Sequence, residues 1–189
     1  YGYGGVPNFG KVLAVAGGAF VVGFFPGRIV AWLFNINTAE YNGLVDYATL
    51  DYHTTIVKEV NKVLAANPAL SIAIFFATLI VAALVGAALG YIASYPAVRL
   101  REDYLAIMLL AMGEAIGVIG YNYTPLVRGN LGCLVPDAFG WAGEVRYMVV
   151  LLFIVGVCLV VLLYLERSVR TPLGRMLRAV RDNEDAARS

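Results

Sequence analysis

Apolar residues along the chain gather into four long runs, separated by stretches where polar residues and turn formers dominate. A helix that crosses a bilayer needs roughly 20 consecutive apolar residues. Segment 69–94 meets that length without a single charge, and 147–165 is also free of charge. Segment 12–34 is long enough but is interrupted at Pro26, Gly27 and Arg28. Segment 104–120 is the shortest and carries Glu114.

Between these runs, residues 35–67 are mixed in composition. The stretch IVKEVNKVLAANP within them has the spacing of a short amphipathic helix. Residues 95–103 read as a brief connector stiffened by Pro96, with Asp103 placed to cap the helix that follows. Residues 121–146 are rich in Gly and Pro, which predicts turns. His53, with Asp51 nearby, reads as a solvated loop pair. The pattern predicts an all-α polytopic transmembrane helix bundle, one domain over 1–189.

Composition sharpens the class. Of 189 residues, 60% are hydrophobic and 14% charged. Counting Gly and leaving out Tyr brings the apolar share to about 64%, against ~45–50% in soluble domains. A soluble monomer of this size cannot hide that surface. The net charge of +1 provides no field for nucleic acid. His53 is the only histidine, so no His-rich metal site is expected, and no cofactor or catalytic cluster is read from the chain. Cys133 in a loop and Cys158 in an apolar run do not make a disulfide framework.

The few charges carry the orientation. Short loops rich in Lys and Arg tend to lie on the cytoplasmic side. Placing 166–189 inside and counting back through four crossings puts 121–146 outside, Arg99 and Arg101 inside, 35–67 outside and Lys11 inside. Nine of the 14 basic residues then fall inside. Arg28, Lys58, Lys62, Arg128 and Arg146 fall outside or at the outer rim. Gly23 with Gly27, Gly86 with Gly90 and Gly113 with Gly117 repeat at helix-contact spacing, which favours a tightly packed multi-helix body.

Residues 5–11, GVPNFGK, fit the first seven positions of a phosphate-binding loop, but Val12 stands where Ser or Thr must ligate magnesium. A membrane segment follows, so nucleotide binding is not expected here. The same stretch has a better reading. GYGGVPNFG and then Gly18-Ala19-Phe20 resemble the Gly-Tyr-x-Gly-x-x-x-Phe-Gly loop and later Gly-Ala-Tyr of the LivH/LivM-type permeases, the membrane subunits of branched-chain amino acid ABC importers. YPAVRLREDYLAIMLLAMGEAIGVI is similar to that family's Leu-Pro-Ala-Leu-Arg-Leu-Arg-Gly-Asp-Tyr-Leu-Ala-Ile signature, with its downstream Gly-Glu at Gly113-Glu114. RSVRTPLGRMLRAVRDNEDAARS resembles its Ser-x-x-Gly-Arg-x-Leu-Arg-Ala-Ile-Arg-Glu-Asn-Glu segment. The matches cover roughly residues 1–34, 69–133 and 147–189, leaving the 35–67 loop without a clear counterpart. Two departures stand out: Glu102 where the family has Gly, and Val127-Arg128 where it has Thr-Gly.

The tail carries the most legible chemistry. Thr171 can cap a helix beginning at Pro172, and Leu173, Leu177 and Val180 form an apolar stripe. Arg178 with Asp182 and Arg181 with Asp185 are i,i+4 pairs. One reading is a membrane-surface helix held by anionic headgroups. The resemblance implies another: a coupling helix docking on a cytoplasmic ATPase, through Gly174, Arg175, Arg178, Arg181, Glu184 and the Glu-Ala-Ala-like Asp185-Ala186-Ala187. The family's following Gly would fall just beyond Ser189, so the resemblance implies that the chain continues at this end, and the first residues read as mid-protein.

Glu114 lies ten residues into its run, ~15 Å deep at ~1.5 Å per residue. A charge at that depth costs a few kcal/mol unless it is paired, neutralised or facing water. It is either a pathway or helix-locking acid, or a structural hydrogen-bonding group. Residues 1–10, Gly-rich and broken by Pro7, cannot be a regular lipid-facing helix. Tyr3, Asn8 and Phe9 there join Glu114 as candidates for the translocation path.

The resemblance implies a prokaryotic, multi-pass cell-membrane protein, itself not an enzyme. Its implied partners are cytoplasmic ATP-binding subunits, a second homologous or identical permease subunit, an extracytoplasmic substrate-binding protein and the lipid bilayer. Permeases for urea and short-chain amides share these motifs and stay open as an alternative. Outside transport, the alternative is a membrane scaffold or anchor whose Arg-rich tail recruits a soluble partner.

Overall fold

The computed structural model describes residues 11–49, 51–99, 102–172 and 174, and of 97–99, 102 and 103 the backbone alone. Contacts divide the chain into one unit of residues 9–143 and another of residues 1–8 and 144–189. The first unit holds α1 (Lys11–Leu33), α2 (His53–Ala66), α3 (Pro68–Arg99), α4 (Glu102–Asn122) and the single turn α5 (Thr124–Val127). The second holds α6 (Arg146–Arg170). The fold is all-α: among the described residues, the only β pairing is one isolated bridge between Asn37 and Asn42. Among the described residues, four stretches are long and apolar enough to cross a membrane: Lys11–Leu33, Pro68–Pro96, Tyr104–Asn122 and Gly140–Arg170.

Small residues set the directions of the first three long helices. A Cβ on Gly86 of α3 would sit 3.3 Å from the Ala14 carbonyl oxygen of α1, and one on Gly18 would sit 4.0 Å from that of Ala82. The numbers run oppositely, so α1 and α3 are antiparallel. Gly113 of α4 faces Val12 and Gly120 faces Phe20, so α4 runs parallel to α1. Leu13, Ala93, Leu105 and Leu109 bury themselves where the start of α1, the end of α3 and the start of α4 meet.

The expected interruption at Pro26-Gly27-Arg28 does not occur; α1 continues to Leu33 with Pro26 inside it. Tertiary packing offsets the local break. Pro26 and Gly27 are buried, and a Cβ at Gly27 would overlap the Tyr47 ring, 1.8 Å from its hydroxyl. The helix ends where Asn35 turns left-handed (φ 48°) and the Ile36 amide donates back to the Ala31 carbonyl at 3.0 Å. The connector expected at 95–103 is likewise mostly helix. α3 carries Pro96 within it and reaches Arg99, while α4 begins at Glu102, so Asp103 lies inside that helix rather than at its cap.

In the other unit, α6 is apolar along most of its length and none of its residues is buried within the chain, the pattern of a span surrounded by lipid or other helices. Glu166 and Arg170 pair near its end. The Thr171 hydroxyl donates back to the Ser168 carbonyl at 2.6 Å, and the extended backbone of Thr171 (φ −78°, ψ 168°) ends α6.

Candidate functional site

At the Leu33 end of α1, the two long connections fold together into a cap. Val30, Tyr47, Ile56, Val57, Val60 and Leu64 form its buried core. Amphipathic α2 forms because its apolar residues fall on one face, and the Asn67-Pro68 step ends it and starts α3.

His53 is the pivot of this cap. It is fully buried, so the expected solvated pair with Asp51 is corrected. Its ring Nδ1 lies 2.6 Å from the Tyr47 carbonyl oxygen, and its Nε2 accepts the Leu134 amide at 2.9 Å. Those two bonds fix the tautomer, with the proton on Nδ1 and the one lone pair of Nε2 taken. Burial, with Arg28 and Arg128 adding repulsion, pushes the His53 pKa below its ordinary value, against the pull of the Tyr47 carbonyl, and keeps the ring neutral. A signal in the sequence could have found it: His53 lies three and four residues before Ile56 and Val57, on the same helical face.

The strap 133–139 is fastened to every element beneath it. Besides Leu134, the Asp137 amide donates to the Asn61 side-chain oxygen at 2.8 Å, and the buried Ser71 hydroxyl donates to the Ala138 carbonyl at 2.7 Å. The Phe139 ring meets Phe75 edge-on. The Cys133 thiol donates to the Gly23 carbonyl at 3.3 Å, with its sulfur 3.8 Å from His53 Nε2. Burial raises the pKa of this thiol, which stays protonated. Since Nε2 already accepts the Leu134 amide, Cys133 and His53 form a latch and not an activated nucleophile pair.

Arg28 ties α1 to the same end. It donates to the Pro125 carbonyl at 2.6 Å and lies over the Phe24 ring at 4.0 Å. The Tyr47 hydroxyl is buried without a hydrogen-bond partner among the described residues, and burial raises its pKa. Arg128, where the resembled family has Gly, ends α5 in the left-handed region (φ 62°), a conformation that glycine adopts without strain.

Of the site residues expected from the sequence, only Glu114 and Gly174 are among the described ones. Glu114 lies exposed on α4 and makes no hydrogen bond or ion pair with any described residue. Gly174 is buried: its amide donates to the Thr171 carbonyl at 3.1 Å, and a Cβ there would meet the Val169 carbonyl oxygen at 2.2 Å. Tyr3, Asn8, Phe9, Arg175, Arg178, Arg181, Glu184, Asp185, Ala186 and Ala187 lie outside the described residues, as does the side chain of Arg99. No group of three or more metal-ligating side chains occurs among the described residues.

Long apolar helices define a polytopic helical membrane protein. Comparison with known proteins narrows this. A family described as the permease component of branched-chain amino acid transport systems matches residues 1–189. The chain is 35% identical over 190 residues to a probable branched-chain amino acid transport permease protein LivM of Methanocaldococcus jannaschii, covering all of this chain and 52% of that protein. It is 34% and 32% identical over 140 residues to the high-affinity branched-chain amino acid transport system permease proteins LivM of Salmonella typhimurium and Escherichia coli, covering 61% of this chain and 33% of each. No solved structure matches. The chain belongs to the branched-chain amino acid transport permease family, of LivH/LivM type, and spans about half the length of the archaeal relative.

Proposed function

We propose that this chain forms part of the membrane subunit of an ATP-binding cassette importer that carries branched-chain amino acids into a prokaryotic cell. The family match over all 189 residues carries the reading, supported by four helices long and apolar enough to span. The charge distribution orients the chain with the 35–67 and 121–146 cap outside, facing a substrate-binding protein, and the 166–189 tail inside. The chain itself performs no chemistry; ATP is hydrolysed on partner subunits. Substrate crosses beside a second permease subunit, and Tyr3, Asn8, Phe9 and Glu114 border the route. Nucleotide binding biases two packings of the helices, each favoured by different contacts.

Coupling runs through 172–189, with Gly174, Arg175, Arg178, Arg181 and Glu184 leading into Asp185-Ala186-Ala187. In the full-length importer, Asp185→Arg or Ala187→Trp is expected to cut substrate-stimulated ATPase activity at least about tenfold, equal to about 1.4 kcal/mol of coupling. Membrane insertion should be unchanged. Full stimulation in both variants, measured with substrate-loaded binding protein, would remove the coupling assignment.

A further inference from the structure

The register of α1 against α3 fixes where the membrane ends. Ala14 lies against Gly86 and Gly18 against Ala82. Carried along both helices, that pairing brings Trp32 level with Pro68, where α3 begins. From Lys11 the 23 residues of α1 cover ~35 Å, a little more than a ~30 Å hydrocarbon core. One edge of that core therefore lies near Trp32, which is exposed, as a tryptophan at a membrane interface is.

The chain does not continue outward from this level. The Ile36 amide bonds back to the Ala31 carbonyl, and a Cβ on Gly43 would sit 3.3 Å from that of Ala31. The Tyr47 ring then lies against Gly27, six residues back along α1 from Leu33, or ~9 Å at ~1.5 Å per residue. The stretch from Gly43 to Tyr47 thus returns beside α1, below the level at which the helix ends.

This returning turn shows aliphatic side chains and closes its own backbone. Val45 is 73% exposed, and the exposed Leu44 stands with Phe25, Ile29 and Trp32 on one apolar surface. The Asn42 side-chain oxygen accepts the amides of Leu44 at 3.0 Å and Val45 at 3.2 Å, and its carbonyl accepts that of Asp46 at 2.8 Å. The Gly43 amide donates to the Ile36 carbonyl at 3.0 Å. Asp46 is the one charged residue between Tyr41 and Tyr47, and its carboxylate accepts the Asn42 amide at 2.8 Å. Thr38 and Glu40 sit apart, at the hairpin tip beyond the Asn37–Asn42 bridge.

We infer that the Leu44–Val45 turn is a re-entrant lipid contact, seated in the headgroup–acyl boundary beside the Leu33 end of α1. Irregular backbone at that depth must satisfy its amides internally, because acyl chains offer no acceptor, and the amides from Asn42 to Asp46 are all satisfied. A soluble partner would find no free donor among them. Lipid needs only the apolar surface, which here continues from a spanning helix. The contact rests on the fold and not on the transport reading above.

The test introduces a benzophenone photocrosslinker, Val45→p-benzoylphenylalanine, into the full-length permease in phosphatidylcholine nanodiscs. Adducts are identified by mass spectrometry after irradiation, and Glu40→p-benzoylphenylalanine reports on the hairpin tip. The expected result is at least about tenfold more lipid adduct at position 45 than at position 40, the scale of taking one valine-sized side chain out of water. Equal lipid adducts at the two positions overturn the inference. So does crosslinking of position 45 to polypeptide in place of lipid, which would mean that another part of the permease covers the turn. Absence of any adduct there, the result for a turn in water, overturns it as well. If the Val45 variant does not assemble, the same substitution at Leu44 decides by the same criteria.

Discussion

At His53, one buried ring holds the strap at Leu134. The imidazole is neutral in the folded chain and its pKa lies below the ordinary 6.5. The unfolded ring therefore takes up its proton first, and stability falls as pH drops through about 6.5 towards the folded value, then levels once the folded ring titrates. Protonation would also set an N–H against the Leu134 amide. The protection of the Leu134 amide hydrogen, relative to its intrinsic exchange rate at each pH, should fall over that window, while pH-independent protection would contradict the latch. His53→Ala should cost about 2–4 kcal/mol, because it leaves the Tyr47 carbonyl and the Leu134 amide unpaired. At Arg128 the expectation is opposite. Arg128→Gly relieves left-handed strain and removes a buried Nε that has no partner among the described residues, so unfolding should show a gain of about 1 kcal/mol. A loss would mean that its 3.4 Å bond to the Gly132 carbonyl outweighs the strain.

Between helices, the glycine pairs separate into contacts and spacers. Gly86 faces the Ala14 backbone, and Gly113 faces Val12, whereas Gly90 and Gly117 have nothing within 4 Å among the described residues. Gly23 and Gly27 are covered by cap residues, Val127 and Tyr47, rather than by a second membrane helix. Gly86→Val should separate α1 from α3 and lower the thermal stability of the purified permease. Gly90→Ala should raise it by about 0.5–1 kcal/mol through helix propensity. Equal effects at the two sites would mean that the α1–α3 contact contributes little. The spacing of these residues was legible in the sequence, but their partners were not, because a GxxxG pattern marks a face without saying what covers it. Helix continuity through Pro26 was hidden for a related reason: a local break signal yields to packing that only distant residues such as Tyr47 supply.

For the molecule as a whole, the four apolar runs were legible because membrane burial leaves an unbroken signal over about 20 residues. The family was legible because three ordered motifs resemble its own, beginning at Gly2-Tyr3 and ending at Asn183-Glu184. The cap was not. Its ties join His53 to Leu134, Asn61 to Asp137 and Ser71 to Ala138 across 67 to 81 residues of sequence, and no local pattern encodes such pairings. Transport itself belongs to this scale, since the chain spans about half of the archaeal relative and the proposed activity needs partner subunits. The direct test is uptake of labelled leucine by sealed vesicles that contain the full-length permease with its ATPase and binding protein. Accumulation that requires both ATP and the binding protein is the predicted result. An absence of ATP-dependent accumulation of leucine, isoleucine or valine, with the assembled complex intact, would contradict the account.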